Sequence, residues 1–404
     1  MRKTYTVQEL IDMEYIDAPI DGNHGSIHPK TSDYVPQGVP FLMVNNMIDG
    51  TVDLENCAFI SEEQARRLRK GFAHPGDVLL SHKATIGKTA IVPDKYETVI
   101  LTPQITYYRV KKNINRRYLK YYFDSPDFQA IFANWAGSGS TRAYLGILAQ
   151  RKLPIVLPSI EEQNRIADIL YSLDKKIAEN KNINKNLEQQ AETFFHSLFV
   201  ENVNPTWKDG VLSDLGTVVA GGTPSKTKPE YYSEQGIAWI TPKDLSLNKS
   251  KFISHGEIDI SELGFSKSSA TKMPTGTVLF SSRAPIGYIA IAANEVTTNQ
   301  GFKSVVPNKN IGTAFMYYLL KFLLPTIEGM ASGSTFKEIS GAGMKSVPVV
   351  IPDNETIEKF NVFCTPIFQQ QEVLEAENSR LTDVRDALLP KLMSGEIDVS
   401  NINL

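Results

Sequence analysis

Residues 76–91 read GDVLLSHKATIGKTAI, and residues 276–291 read GTVLFSSRAPIGYIAI. Nine of the sixteen aligned positions are identical, and each pair is separated by 200 residues. A match of this length at a constant offset indicates a duplicated segment. Because a period of 200 residues is far longer than the roughly 20–50 residues of solenoid repeats, the sequence predicts two similar domains.

Four further pairs of segments follow the same order in both halves. They are GVPFLMVNNM (38–47) with GIAWITPKDL (236–245), TPQ (102–104) with TNQ (298–300), GST (139–141) with GST (333–335), and PIVLP (154–158) with PVVIP (348–352). Between them, short apolar runs bounded by Gly, Pro or Asn alternate with helical patterns. The predicted fold class is therefore α+β, with globular mixed domains over residues 1–158 and 201–352.

Each repeat is expected to end in a long helix. In the first copy this helix covers residues 159–200, and in the second copy residues 353–404 comprise the helix and a C-terminal tail. Seam positions with alternating spacings of three and four predict a helix–helix interface. The two series share an offset of 190 and comprise Leu170, Leu173, Ile177, Asn180, Asn184, Leu187, Ala191, Phe194 and Leu198, and then Phe360, Phe363, Ile367, Gln370, Leu374, Glu377, Leu381, Val384 and Leu388. Antiparallel pairing within the chain would bury both seams; packing of each helix on its own domain is the alternative.

Composition limits the possible function classes. The net charge of −3 argues mildly against a free-standing nucleic-acid binder, so any DNA contact must come from local patches or be shared with a partner. No apolar run is long enough for a membrane span, and the N-terminus has no secretory pattern. Cys57 and Cys364 have no metal-binding spacing, so we expect reduced thiols and a cytoplasmic protein.

No catalytic motif emerges from the sequence. Gly87-Lys88-Thr89 looks like the end of a phosphate-binding loop, but His82 stands where the first glycine would be. His24 and His28 are four residues apart in a predicted loop, which is a weak metal pattern. We therefore expect neither a catalytic site nor a metal site in this chain.

The ordered motifs, their duplication and the two long helices resemble the specificity subunit of type I restriction–modification enzymes. The likeness covers nearly the whole chain, from the GVPF and GIAW segments to LLPKLMSGEIDV near the C-terminus. One departure is that DNETIEKFNVFC in the second copy stands where the first has SIEEQNRIADIL, so the two helix starts need not bind partners equally well.

The resemblance implies two target recognition domains that each read one half of a bipartite DNA site, and an antiparallel helix pair that sets the spacer. It also implies two adenine-N6 methyltransferase subunits and restriction/translocase subunits as partners. S-adenosylmethionine, ATP and magnesium would serve those partners, with no cofactor in this chain.

The candidate DNA-binding residues are polar side chains on the repeated segments, where one scaffold carries different residues in its two copies. They are Asn45, His82, Lys83, Gln104, Ser140, Thr141, Arg142, Lys243, Ser282, Arg283, Gln300, Ser334, Thr335 and Lys337. Three alternatives remain open: a subunit of a type IIB-like enzyme, a catalytic DNA methyltransferase or nuclease with an unrecognised motif, and a two-module scaffold that binds proteins and not DNA.

Overall fold

A computed structural model describes residues 2–137, 143–333 and 337–400 of the chain. The chain forms two compact units, Met1–Lys176 with Arg380–Leu404 as unit 1 and Ile177–Ser379 as unit 2. Each unit thus combines one globular repeat with segments of both long helices. No helix among the described residues is both long and apolar enough to cross a membrane.

The first repeat is built from short strands and helices. Its strands are β1 (Lys3–Thr6), β2 (Ile20–Asp21), β3 (Tyr34–Val35), β4 (Val39–Leu42), β5 (Met47–Ile48), β6 (Thr51–Val52), β7 (Ala58–Ile60), β8 (Phe72–Ala73), β9 (Val78–Ser81), β10 (Thr89–Ile91), β11 (Val99–Leu101), β12 (Ile105–Tyr108) and β13 (Pro154–Leu157). Its helices are α1 (Val7–Asp12), α2 (Glu62–Arg66), α3 (Arg116–Asp124), α4 (Pro126–Trp135) and α5 (Ile147–Gln150), followed by the long helix α6 (Ile160–His196).

The second repeat has the corresponding elements. Its strands are β14 (Lys208–Val211), β15 (Gly216–Ala220), β16 (Tyr232–Ser233), β17 (Trp239–Ile240), β18 (Phe252–Ile253), β19 (Asp259–Ile260), β20 (Val278–Ser282), β21 (Ile286–Ala292), β22 (Thr297–Thr298), β23 (Lys303–Pro307) and β24 (Pro348–Ile351). Its helices are α7 (Leu212–Leu215), α8 (Pro242–Leu247), α9 (Glu262–Ser266), α10 (Thr313–Phe322), α11 (Leu324–Met330) and α12 (Gly341–Lys345), followed by the long helix α13 (Asn354–Ser394).

The two repeats share the order of their four central strands, which confirms the predicted duplication and the α+β class. The order β10-β9-β12-β2 in unit 1 corresponds to β21-β20-β23-β15 in unit 2. Each unit also has a parallel pair, β4 with β11 or β17 with β22, and an antiparallel pair that joins its first and last strands, β1 with β13 or β14 with β24.

The central strands are buried on both faces, which explains why Val78–Leu80 and Val278–Phe280 are runs of consecutive apolar residues. Val78 and Leu80 point into the core that includes residues of the long helices, whereas Leu79 points into a second core on the opposite face of the sheet. Val278 and Leu279 of β20 divide in the same way between two cores of unit 2. The alternation follows from the two-residue period of a strand.

The long helices pack antiparallel, as the contacts within unit 2 show. Asn180 Nδ2 of α6 donates to Glu377 Oε2 at 2.8 Å and to Asn378 Oδ1 at 3.0 Å on α13. Further along α6, the Phe194 ring lies 4.5 Å from that of Phe363, centroid to centroid. Residue numbers thus rise on one helix as they fall on the other, and the predicted helix–helix interface is present.

The predicted seam positions differ in burial between the two long helices. Eight of the nine positions predicted for the first helix lie in α6, Leu198 follows it, and all nine are at least partly buried. On α13, Val384 is 47% exposed, Gln370 is exposed, and Phe363 is 39% exposed although its ring contacts that of Phe194. Gln371, which is 3% exposed, faces the interface in place of Gln370. A helix that packs both on a partner helix and on a globular domain buries a wider stripe than a heptad seam, so a 3.5-residue period loses register along it.

Candidate nucleic-acid interface

In each unit, backbone hydrogen bonds join the repeated segments at one edge of the central sheet. In unit 1, Thr102 N donates to Leu42 O at 3.0 Å, His82 N donates to Gln104 O at 2.9 Å, and Leu145 N donates to His82 O at 3.0 Å. The segments that the sequence analysis selected are therefore neighbours, although they are far apart along the chain.

Unit 2 has a similar chain of hydrogen bonds, displaced by one residue along the TNQ segment relative to TPQ. Asn299 N donates to Ile240 O at 3.0 Å, and Ser282 N donates to Gly301 O at 2.7 Å. Ser282 O then accepts from Ile339 N at 3.1 Å. One scaffold thus presents equivalent loops in both repeats.

The serine that is identical in residues 76–91 and 276–291 is explained by the turn that follows β9 and β20. Ser81 Oγ accepts a hydrogen bond from Lys88 N at 2.8 Å, and Ser281 Oγ accepts from Tyr288 N at the same distance. The buried serine closes the turn in both copies, so its identity is a structural requirement.

Two other repeated residues of this turn have a positive φ angle in both copies. Ala84 and Ala284 have φ angles of 64° and 49°, in the left-handed region that side chains other than glycine rarely adopt. Gly87 and Gly287 have φ angles of 83° and 96°, which only glycine adopts without strain. Strained backbone of this kind is frequent at binding sites.

Two candidate DNA-binding residues are inaccessible. His82 and Ser282 are both 0% exposed, so in this structure neither side chain presents a surface to DNA. His82 Nδ1 lies 3.1 Å from Leu145 O, and burial lowers the pKa of the imidazole. Ser282 Oγ donates to Gly301 O at 3.1 Å.

The neighbouring candidates are accessible. Lys83 is exposed, with its Nζ 6.0 Å from the centroid of the Tyr144 ring. The Arg283 side chain is 38% exposed and pairs with Glu338 at 3.5 Å. Gln104 is half-buried, while Lys337 is exposed. Ser140, Thr141, Arg142, Ser334 and Thr335 lie outside the described residues.

The turns after β4 and β17 share a geometry that the sequence analysis missed. Asn46 Oδ1 accepts a hydrogen bond from Met43 N at 2.9 Å, and Asp244 Oδ2 accepts from Thr241 N at 2.7 Å. Both acceptors are buried, at 3% and 8% exposure. The sequence signal in the second copy is the Thr-x-x-Asp capping pattern of TPKD (241–244).

The residue that precedes each buried acceptor is exposed. It is Asn45 in unit 1 and Lys243 in unit 2, both of which the sequence analysis selected. Lys243 Nζ lies 2.5 Å from Glu257 Oε2, and this hydrogen bond raises the pKa of the lysine. Asp244 Oδ1 also accepts from Glu257 N at 2.9 Å, so one buried carboxylate holds both partners of the surface pair in place.

A cleft of about 540 Å³ in unit 2 opens beside this turn. Its lining residues are Thr223, Lys226, Tyr232, Trp239, Thr241, Pro242, Lys243, Asp244, Glu257, Ile258, Asn299 and Gln300. Gln300 is exposed, and its side-chain oxygen accepts a hydrogen bond from Thr223 Oγ1. The cleft therefore brings together two predicted DNA-binding residues, Lys243 and Gln300, from segments more than fifty residues apart.

The two predicted weak metal ligands have other contacts. His24 Nε2 lies 2.8 Å from Asp21 Oδ2, and the His28 ring packs 5.5 Å from the Phe41 ring. Across the described residues, no group of three or more His, Cys, Asp or Glu side chains is arranged to hold a metal ion. Cys57 and Cys364 are buried free thiols.

The fold and the duplicated site define a class of proteins with two tandem DNA specificity domains. The model of the type I restriction modification DNA specificity domain matches residues 23–189 and 204–376. Because these matches cover most of the chain, this protein belongs to that family.

Individual relatives agree with the family assignment. The chain is 38% identical over 170 residues to the type I restriction enzyme MjaIX specificity subunit of Methanocaldococcus jannaschii, a match that covers 42% of this chain and only 39% of that protein. It is 24% identical over 378 residues to the putative type I restriction enzyme MjaX specificity subunit of the same organism, covering 90% and 88%.

A solved structure has the same fold. The type I restriction–modification S subunit from M. genitalium matches with a TM-score of 0.61 at 17% identity, covering 97% of this chain and 96% of that one. At this identity the match shows the fold alone.

Proposed function

We infer that this chain is the non-catalytic specificity subunit of a type I restriction–modification complex. Each recognition domain reads one half of a bipartite, asymmetric site in double-stranded DNA. Two adenine-N6 methyltransferase subunits and restriction/translocase subunits act at the site that this chain selects. S-adenosylmethionine, ATP and magnesium bind to those partners, and the complex works in the cytoplasm on the DNA there.

The observation that carries this proposal is the repeated scaffold with unlike exposed residues. The same hydrogen-bonded loops present Asn45 and Lys83 in unit 1, and Lys243 and Arg283 in unit 2. Amide, ammonium and guanidinium groups are the ones that proteins use to distinguish base edges. Two similar domains with different reading groups are what an asymmetric bipartite site requires.

The net charge of −3 fits a subunit that depends on partners. Phosphate neutralisation dominates the affinity of DNA-binding proteins, and a chain with no excess of basic residues supplies little of it. The methyltransferase subunits would provide most phosphate contacts, while this chain supplies base discrimination. We therefore expect weak binding of DNA by the isolated chain.

Methyl transfer in a reconstituted system tests the proposal. The chain, its methyltransferase partner and their mixture are each incubated with DNA and labelled S-adenosylmethionine, and the modified adenines are mapped. We expect label only with the mixture, at a two-part motif with a non-specific spacer. Label transfer by the chain alone would refute its non-catalytic role, and methylation by the mixture without sequence preference would refute its role in specificity.

A further inference from the structure

The turn after β4 and its counterpart after β17, which is the first turn of α8, share the buried acceptor while the exposed residue changes. The buried acceptor Asn46 or Asp244 fixes the turn, and Asn45 or Lys243 projects from it next to that acceptor. A position whose support is constant and whose accessible side chain varies is suited to determining specificity.

In unit 2 the exposed residue is one half of a donor–acceptor pair. The Lys243 ammonium and the Glu257 carboxylate lie 2.5 Å apart, with side chains 64% and 62% exposed. Their charges cancel, so the pair has little attraction for a phosphate, which offers acceptors only. A contact to the DNA backbone would also bring the Glu257 carboxylate close to phosphate charge.

The major-groove edge of a G·C base pair matches this arrangement. Guanine presents the acceptors N7 and O6, and cytosine presents the N4 amino donor next to O6. Lysine donates to guanine O6 or N7, and a carboxylate accepts from cytosine N4. Cytosine N4 donates a hydrogen bond to guanine O6 within the base pair. The two groups therefore lie side by side at the groove edge, as Lys243 Nζ and Glu257 Oε2 do.

We propose that Lys243 and Glu257 together read one G·C pair in the half-site of the second domain, and that Asn45 reads an A·T pair in the half-site of the first. An asparagine amide both accepts from adenine N6 and donates to adenine N7. Asp244 is a positioning residue, because its two carboxylate oxygens hold the Lys243 turn and the Glu257 backbone. This assignment rests on the proposed function.

Methylation mapping of variants in the intact complex tests the assignment. Lys243→Ala and Glu257→Ala should each relax discrimination at one G·C position of the second half-site, by roughly 5- to 150-fold, the equivalent of about 1–3 kcal/mol. Lys243→Asn should shift that position towards A·T. Asn45→Ala should relax one A·T position in the first half-site and leave the second intact.

Internal and external controls separate reading from folding. In each variant, the unaltered half-site must still be recognised, which shows that the complex is assembled. Lys228→Ala breaks another exposed Lys–Glu pair of unit 2, between Lys228 and Glu230 at 3.8 Å, and should leave every base preference unchanged.

Several results would overturn the assignment. They are a second half-site without a G·C pair, variants with unchanged base preference, and a Lys243→Ala variant that binds all sequences more weakly by the same factor, which would make Lys243 a phosphate contact. In each of these cases a mapped two-part site leaves the proposed function standing. A wild-type complex that methylates without sequence preference would overturn both.

Discussion

Glu188 on α6 neutralises two lysines inside unit 2. Its carboxylate pairs with the Lys251 ammonium, which is only 6% exposed, and with the Lys321 ammonium at 2.8 Å. Tyr318 OH donates to the same carboxylate at 2.9 Å, and Lys251 Nζ also donates to Gln371 Oε1 at 2.7 Å. The cluster therefore ties the second recognition domain to both long helices within this unit.

Glu188→Gln should destabilise unit 2 strongly at neutral pH. Burial opposes ionisation of Glu188, but the charges of Lys251 and Lys321 and their hydrogen bonds outweigh it and lower the pKa to about 2. Compared with an unfolded-state value of about 4.3, the lowered pKa of Glu188 corresponds to about 3 kcal/mol for this carboxylate alone. Burial lowers the pKa of its partner Lys251 as well, so removal of Glu188 leaves a buried ammonium without this counter-charge. Loss of one partner of a buried ion pair costs about 3–5 kcal/mol in general, which agrees.

The same shift predicts how this stabilisation depends on pH. Because the folded-state pKa lies below the unfolded-state value, the contribution is complete above about pH 5 and is lost as the pH falls towards 2. The difference between wild type and Glu188→Gln in the free energy of unfolding should therefore be about 3 kcal/mol at pH 7 and shrink steadily below about pH 5.

Tryptophan fluorescence can report on unit 2 alone. Trp207 and Trp239 lie in unit 2, whereas Trp135 lies in unit 1 and is 44% exposed, so a Trp135→Phe background removes the unwanted signal. Urea unfolding of the full chain at pH 7, 5, 4 and 3 gives the required free energies. Glu192→Gln is the matched control: this more exposed carboxylate lies 3.4 Å from Lys321, and its loss should cost less than about 1 kcal/mol.

Two results would refute the reasoning. A Glu188→Gln variant within about 0.5 kcal/mol of wild type at pH 7 would mean that the cluster contributes no net stability, as some buried ion pairs do not. A difference that stays constant from pH 7 to pH 3 would mean that the ionised carboxylate is not its source.

Three further changes have defined outcomes. Asn180 is 0% exposed and donates to Glu377 and Asn378, so Asn180→Ala should lower the free energy of unfolding of unit 2 by about 1–3 kcal/mol in the same fluorescence assay. Burial lowers the pKa of His82, so the contribution of the neutral imidazole to the free energy of unfolding is lost as the pH falls below about 6.5. In His82→Gln, the protection of β9 amides against hydrogen exchange should therefore decrease less on acidification than in wild type. Ala84→Gly relieves a left-handed φ of 64° and should raise the free energy of unfolding of unit 1 by about 1 kcal/mol at most; a lower free energy of unfolding would contradict the strain.

The sequence predicted the duplication because the identities between residues 76–91 and 276–291 have structural causes. Ser81 closes a turn, Gly87 has a positive φ, and Val78 to Leu80 fill two cores, and each requirement recurs 200 residues later. A constraint of this kind leaves the same residue in both copies, so a comparison of the two halves detects it.

Comparison of the two halves could not distinguish residues that contact DNA bases from residues buried in the core. His82 and Lys83 both differ from their counterparts, yet His82 is buried and Lys83 is exposed. A position can vary because it meets a different base or because its neighbours in the core have changed. Only the packing distinguishes these causes, and one strand residue more or less reverses the direction in which a side chain points.

The seam predicted for α13 does not match its buried positions, for a related reason. On α13, Val384 satisfies the three–four spacing but is 47% exposed, while Gln371, outside the series, is buried. Spacing specifies a stripe on a helix, but the width and drift of the buried stripe depend on what else packs there. Here the recognition domain also contacts the helix, through side chains such as Tyr318 and Phe368.

Several basic side chains at the candidate interface are paired with carboxylates, as is expected in a chain with no excess of basic residues. Lys243 contacts Glu257, and Arg283 and Lys303 both contact Glu338, so these cations already have carboxylate partners at the loops expected to meet DNA. Binding to phosphate would have to displace those carboxylates, which reduces the gain from counterion release. Base edges offer donors as well as acceptors and can engage both members of a pair. A recognition surface of paired charges therefore favours discrimination between sequences over affinity for DNA in general, which agrees with the weak DNA binding that we expect of the isolated chain under the proposed function.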